Sequence, residues 1–214
     1  QKPAMEFIKS QAHNKNSIRS NQVLSILEDS DGELWFGTSS GISVLNKASG
    51  SWDHLYNLEN SKEISEYKIL ALAEDDRRRI WIGGYANGLH RYDKKTKKLT
   101  DLTDAAGTIY IGSVYYDSAG YMWFGGAEGL LTKVDLKNDR ISKYNIRNVT
   151  VTISKNRDQL WVGTTTGLFI ADKKSDEVIP YSEFSGQLKE ISNTYINCLF
   201  QDNSGRLWIG TNGG

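Results

Sequence analysis

Five positions in this 214-residue chain precede the same short strand of an internal repeat, and their chemistry differs each time: Gln22, Lys68, Tyr110, Asn148 and Tyr195. A position kept for packing would keep its chemistry from repeat to repeat. Amides and an ammonium exchange hydrogen bonds with hydroxyls, and tyrosine offers a flat apolar ring with a polar tip. Gathered round a concavity, such groups suit a polyhydroxylated ligand, the rings stacking on pyranose faces and the amides taking hydroxyls. Tyr67, Tyr85 and Arg147 lie beside this set and join it as candidate ligand-binding residues.

Other chemistry is thinly represented. The three histidines, His13, His54 and His90, are not spaced as a metal pair, and His90 alternates with Leu89 in a strand, where it is read as structural. Asp29-Ser30-Asp31-Gly32 begins like a calcium loop, but Glu33-Leu34-Trp35 then replaces the remaining ligand positions with a strand. No catalytic residue, metal or cofactor is expected. The single cysteine, Cys198, excludes an internal disulfide and falls at a position otherwise held by Ser25, Ala71, Ser113 and Val151, which marks it as a packing choice. Lysine plus arginine and aspartate plus glutamate each number 26, so the zero net charge argues against an electrostatic role on nucleic acid or a membrane. The cluster of Arg77, Arg78, Arg79, Lys94, Lys95, Lys97 and Lys98 is expected to be a solvated rim partly balanced by Asp75 and Asp76. No apolar run approaches the length of a membrane helix.

The elements that position the candidates come from a phrase of apolar residue, Trp, apolar residue and Gly. It occurs at Trp35, Trp81, Trp123, Trp161 and Trp208, with intervals of 46, 42, 38 and 47 residues. A period near this length, built on short strands, predicts an all-β fold: a β-propeller of four-stranded antiparallel blades. The repeats run at 22–66, 67–108, 109–147, 148–194 and 195–214. In the first, strand A is Val23–Leu27, B Leu34–Thr38, C Gly41–Asn46 and D Ser51–Tyr56. Strand B is apolar on both faces, which requires cover on both sides and hence sandwiching between blades. The glycine two residues after each Trp shares its face and lets the next sheet approach.

Asp29, Asp75, Asp117 and Asp202 stand six residues before their tryptophans and are expected to accept hydrogen bonds from their own turns, with Lys155 breaking the pattern. Met5–Lys9 reads as the last strand of a preceding blade, and Thr211–Gly214 as the B–C turn of a fifth. The expectation is therefore about four full blades with partial ends, part of a larger propeller whose faces close on further blades or on a second copy. Asn57–Glu66 and Ser182–Thr194 form long D–A connections at the end of the blades where the candidate residues gather.

The extended phrase Val23-x-Ser25-Ile26-x-Glu28-Asp29-x-x-Gly32-x-Leu34-Trp35-x-Gly37-Thr38-x-x-Gly41 resembles the two-component-regulator propeller repeat. Gln201–Thr211 matches it more closely still, and Asn16–Asn21 resembles the segment that leads into it. Blade 2 departs with Gly84 for Thr and one extra residue before Gly88; blade 4 lacks the turn glycine. The resemblance implies the periplasmic sensor segment of a hybrid two-component histidine kinase of Gram-negative bacteria, with the kinase and DNA-binding modules elsewhere. It implies an oligosaccharide or other small ligand, control of glycan-utilisation genes, and contacts with the remaining blades and a second propeller of the same protein. A homodimer is a further expected contact, and nucleic acid is not. A protein-interaction propeller and a streptogramin-lyase-like propeller enzyme are the alternatives.

Overall fold

The computed structural model describes residues 7–55, 67–175, 177–181 and 195–213. Blade 1 joins β1 (Val23–Glu28), β2 (Glu33–Thr38), β3 (Gly41–Asn46) and β4 (Trp52–His54), each antiparallel to its sequence neighbour. Blade 2 holds β5 (Lys68–Glu74), β6 (Arg79–Tyr85), β7 (Leu89–Asp93) and β8 (Lys98–Asp101). A short helix, α1 (Thr103–Ala106), leads into blade 3: β9 (Ser113–Asp117), β10 (Tyr121–Gly125), β11 (Leu130–Asp135) and β12 (Arg140–Arg147). Blade 4 comprises β13 (Val149–Ser154), β14 (Gln159–Thr164), β15 (Gly167–Asp172) and β16 (Val178–Pro180). β17 (Ile196–Gln201) and β18 (Leu207–Thr211) form the two-stranded fifth sheet. The chain is an all-β propeller of four-stranded meanders, as the period implied.

The core lies between the sheets. Trp35, Ile42 and Val44 of blade 1 pack on Ile69, Ile80, Ile82 and Tyr92 of blade 2, and the same layering recurs around Trp81, Trp123 and Trp161. Each layer takes one face of a strand B from each neighbour, which is why those strands are apolar on both sides. Burying one such side chain contributes about 1.5–3 kcal/mol, so the layers are the main source of stability. The glycine after each Trp makes the layers thin. A Cβ on Gly83 would lie 2.6 Å from Ile111 Cγ2 and 2.9 Å from the Ile111 carbonyl oxygen of blade 3.

The six-residue spacing from Asp to Trp has a second use. Asp29 Oδ1 accepts from the backbone N–H of Asp31 (2.9 Å) and Glu33 (3.0 Å), as expected, while Oδ2 accepts from Trp35 Nε1 at 2.7 Å. Asp75 and Trp81 repeat this at 2.7 Å, and Asp202 and Trp208 at 3.1 Å. The A–B turn is thereby tied to the core residue of strand B. At Asp202 the bonds from Ser204, first, and Trp208 hold the carboxyl down at about 2. In blade 3, Asp117 Oδ2 instead pairs with Lys173 Nζ at 2.8 Å. In blade 4, Lys155 replaces the acid; its Nζ lies 5.3 Å from the Trp161 ring centre, and the indole N–H has no acceptor among the described residues.

Two expectations change. The predicted strand Met5–Lys9 is not one: Phe7–Lys9 carry no strand, and Met5 and Glu6 lie outside the described residues. The segment that follows folds back on blade 1 instead. Ile18 is buried, Arg19 donates its backbone N–H to Ser43 Oγ (3.1 Å), and His54 Nε2 meets the Lys15 carbonyl at 3.0 Å. Strand D of blade 1 is shorter than expected, ending at His54, with Tyr56 outside the described residues. The connections at 57–66 and 182–194 also lie outside them.

Candidate ligand-binding site

At the end of the blades where each strand A begins, blades 2 to 5 surround a cavity of about 360 Å³, within the range of small-molecule sites. It is lined by Tyr85, Tyr110, Asn148 and Tyr195 from the candidate set. Leu70, Gly112, Gly126, Ala127, Val149, Thr150, Thr165 and Asn197 complete its wall.

Three registers of the repeat supply these residues. The first precedes strand A and reads Gln22, Lys68, Tyr110, Asn148 and Tyr195. The second lies two residues on: Leu24, Leu70, Gly112, Thr150 and Asn197. The third follows strand B at a constant 17 residues beyond the first, and reads Ser39, Tyr85, Ala127, Thr165 and Asn212. The backbone joins first to third across the hairpins of blades 1, 4 and 5: Ser39 N–H to the Gln22 carbonyl (3.1 Å), Thr165 to Asn148 (3.2 Å) and Asn212 to Tyr195 (3.3 Å).

The second register coincides with a break in pairing. The ladder between strands A and B shifts between Val23 and Ser25, Ile69 and Ala71, Val149 and Val151, and Ile196 and Cys198. The residue skipped by each shift is Leu24, Leu70, Thr150 or Asn197. A bulge leaves one residue unpaired and re-aims it, and Leu70, Thr150 and Asn197 line the mouth. Asn197 Nδ2 donates to Asn212 Oδ1 at 2.6 Å, and Thr150 Oγ1 to the Ile196 carbonyl at 2.5 Å, so both side chains are held at the rim.

The aromatic wall is built by the extra residue in blade 2. The turn at 85–88 docks on blade 3, with Asn87 and Gly88 N–H both reaching the Ile109 carbonyl (3.1 and 2.8 Å) and Ile111 N–H reaching Gly84 (3.0 Å). Tyr85 thereby meets Tyr110 edge-on, ring centres 4.9 Å apart at 64°. Lys68 Nζ stands 5.6 Å from the Tyr85 ring centre. Gly126 passes beneath the Tyr110 carbonyl with no room for a Cβ.

The structure does not bring the remaining candidates into the cavity wall. Gln22 is exposed in blade 1, Tyr67 is half-buried with its carbonyl accepting from Gly41 (3.0 Å), and Lys68 touches the site only through Tyr85. Arg147 is a brace: its Nη1 donates to the Glu128 carbonyl at 2.8 Å. Asn148 shares that task, its Oδ1 accepting from the Glu128 N–H at 3.1 Å. Together they clamp a B–C turn whose Glu128 has a left-handed φ of 63°.

The basic cluster is mostly spent on structure. Lys94 pairs with Asp29 and Asp31 of blade 1, Arg78 with Asp31, Arg79 with Asp75, and Arg77 donates to the Leu136 carbonyl of blade 3. Blade 1 therefore supplies more of the balancing charge than Asp76 does. No group of three or more His, Cys, Asp or Glu able to hold a metal occurs among the described residues.

Fold and mouth define the class: a β-propeller whose variable positions converge on one cavity. The model of the two-component regulator propeller family matches residues 17–40 and 190–213, so these two segments carry that family's repeat. A curated relative, histidine kinase P4 of Formosa agariphila, is 26% identical over 211 residues, covering 88% of this chain and 15% of the relative. The extracellular domain of a hybrid two component system from B. thetaiotaomicron superposes with a TM-score of 0.76 at 18% identity, covering 96% of this chain and 28% of that one. A second such domain from the same organism gives 0.71 at 21% identity, covering 97% and 30%. Virginiamycin B lyase from Staphylococcus aureus gives 0.69 at 15% identity, covering 88% of this chain and 62% of that chain. At these identities the structural likeness is one of fold.

Proposed function

We propose that this chain is the ligand-sensing part of the extracytoplasmic region of a hybrid two-component sensor kinase, and that it binds an oligosaccharide at the mouth formed by blades 2 to 5. The observation that carries this reading is the convergence of the repeat's variable registers on one cavity, while its packing positions stay constant in chemistry. Tyr85, Tyr110 and Tyr195 supply stacking faces; Asn148, Thr150, Thr165 and Asn197 supply hydroxyl partners. The repeat family and the similarity to a histidine kinase support the signalling role. On this reading the remaining blades and a second propeller of the same protein transmit the ligand's presence, and the output is transcription of glycan-utilisation genes.

Calorimetric titration with neutral and acidic oligosaccharides tests the site. Tyr110→Ala and Tyr195→Ala are each expected to weaken binding about tenfold, the size of losing a contact worth about 1.4 kcal/mol. An unchanged affinity in both variants, or no binding by any member of the panel, refutes the reading. The fold likeness to virginiamycin B lyase supplies the second reading, an enzyme. Turnover abolished by a chelator selects it, although no histidine or carboxylate lines the cavity among the described residues.

A further inference from the structure

The framework tryptophans of blades 1, 3 and 4 are each covered by a tyrosine. Trp123 meets Tyr144 of β12 with ring centres 5.1 Å apart, and Trp161 meets Tyr181, just after β16, at 5.0 Å. Trp35 instead meets Tyr92 of the next blade at 5.9 Å. At Trp81 the two corresponding positions hold smaller, non-aromatic residues. Leu102 donates its N–H to the Leu89 carbonyl (2.8 Å) in the register in which Tyr144 pairs with Leu131, and Val134 pairs with Met122 as Tyr92 pairs with Ile80. The space that a ring fills at the other junctions is here a cavity of about 240 Å³. Its lining residues all come from the complete blades 2 and 3 and the α1 segment between them, and none of them lines the mouth.

The cavity wall carries one cation. Arg91 pairs with Trp81 across β6 and β7, and its guanidinium lies 5.4 Å from an indole ring centre. Lys133 holds the same place in blade 3, where the Tyr144 hydroxyl and the Lys173 carbonyl both accept from its Nζ at 2.9 Å. No such acceptor meets the Arg91 guanidinium among the described residues. Burial first, and the Arg79 charge second, oppose its own charge, against the pull of Asp139, Asp75 and Asp93. Arg79 stands over the same indole at 6.0 Å; Asp75 accepts from its Nε at 2.7 Å, while its buried Nη2 has no acceptor among the described residues. Two guanidinium groups over one indole, with donors left over, favour an anion beside them.

We propose that the seam between blades 2 and 3 is a second binding site, for a one-ring aromatic carboxylate whose ring takes the place of the missing tyrosine and whose carboxylate pairs with Arg91. An apolar cavity of about 150 Å³ holds benzene, so this one accommodates a ring with a short substituent. Leu102, Phe124 and Val134 supply its apolar wall. A guanidinium offers a carboxylate two parallel N–H bonds, which a neutral hydroxyl cannot take together. Asp139, exposed at the edge of the cavity, repels a second acidic group and so restricts the ligand to a monoacid. The site stands independently of the oligosaccharide reading.

Calorimetric titration of the 214-residue chain with benzoate tests it, with benzyl alcohol and benzylamine as neutral and cationic probes of the same ring. Benzoate is expected to saturate one site with a Kd of about 1 mM or tighter, the range open to so small a ligand, and to bind about tenfold more tightly than either control. Arg91→Gln is expected to weaken benzoate about tenfold, to the level of benzyl alcohol. Leu102→Tyr restores the residue that blades 3 and 4 carry, and is expected to abolish binding while Tm is kept or raised. Asp139→Asn is expected to tighten benzoate about twofold. Arg91 is half-buried and Asp139 exposed, so their variants report on the charge even if Leu102→Tyr disturbs the seam. Absence of benzoate binding overturns the proposal, as does equal binding of the three probes, or an affinity that Arg91→Gln and Leu102→Tyr leave unchanged.

Discussion

Gly83→Ala places one methyl group between blades 2 and 3. The φ of Gly83 lies outside the left-handed region, so alanine keeps the backbone and the cost is contact alone. The new Cβ would lie 2.6 Å from Ile111 Cγ2, 2.9 Å from the Ile111 carbonyl oxygen and 3.1 Å from Val114 Cγ2. Carbon pairs are at their best near 3.5–4.0 Å, so the opening of strand A must retreat by about 1 Å. It cannot retreat freely, because the Ile111 N–H is bonded to the Gly84 carbonyl at 3.0 Å. Overpacking of this kind costs about 1–3 kcal/mol, and the loss of glycine's freedom in the unfolded chain returns about 0.4–1 kcal/mol. The net is a destabilisation of about 1–2 kcal/mol, or a fall in Tm of about 2–8 °C for a chain of this size. Gly210→Ala is the control: its nearest neighbour is the Cys198 thiol, a side chain that can rotate, and the expected change is within about 0.5 kcal/mol. Differential scanning calorimetry of both variants decides. A Gly83→Ala protein as stable as the parent refutes the close-approach argument. So does a Gly210→Ala protein destabilised equally. Because Ile111 lies between Tyr110 and Gly112, the same substitution is expected to weaken ligand binding at the mouth.

Lys155→Asp restores to blade 4 the acceptor that its buried indole lacks, at the cost of the Lys155 contacts to Gln159 (2.7 Å) and the Trp161 ring (5.3 Å). A rise in stability of about 1 kcal/mol by denaturant unfolding is expected, and a fall would show the lysine over the ring to be the better solution. Burial, with a smaller push from Arg19, holds the His54 imidazole below its ordinary 6.5, against the pull of the Lys15 carbonyl and Asp53. The unfolded chain therefore takes up this proton first. The contribution is present above pH 6.5 and is lost as pH falls below that value through the folded pKa. Tm measured from about pH 7.5 to about 5.5 should fall, and the slope should flatten in His54→Gln; an equal slope in both proteins would remove His54 as its cause.

What could be read from residues alone divides by the kind of force involved. The blades were legible because each residue of the Trp phrase answers a local demand: an indole to fill a layer, a glycine to thin it, a turn acid to close the hairpin. The bond from that acid to the indole was written in the same six-residue spacing, yet spacing alone does not say which way a second carboxylate oxygen faces. The helix α1 spans four residues, too short to leave a periodic trace. The mouth was half legible. Variation before strand A pointed to Tyr110, Asn148 and Tyr195, and the blade 2 insertion to Tyr85, all of which line the cavity. Arg147 turned out to brace a turn, because a guanidinium's target depends on where a neighbouring loop carries its carbonyls.

Leu70, Thr150 and Asn197 were missed for a deeper reason. Alternation assigns every residue of a strand to one face or the other, and by that rule these three belong to the space between blades. The shift in pairing beside each of them breaks the alternation and frees one residue for the mouth. The bulge thus lets a strand with both faces committed to packing still present a variable side chain. It separates the residues that hold the propeller together from those that are free to vary at the mouth. A ligand site can diversify on this scaffold without disturbing the layers beneath it, because the backbone has already removed those positions from the core.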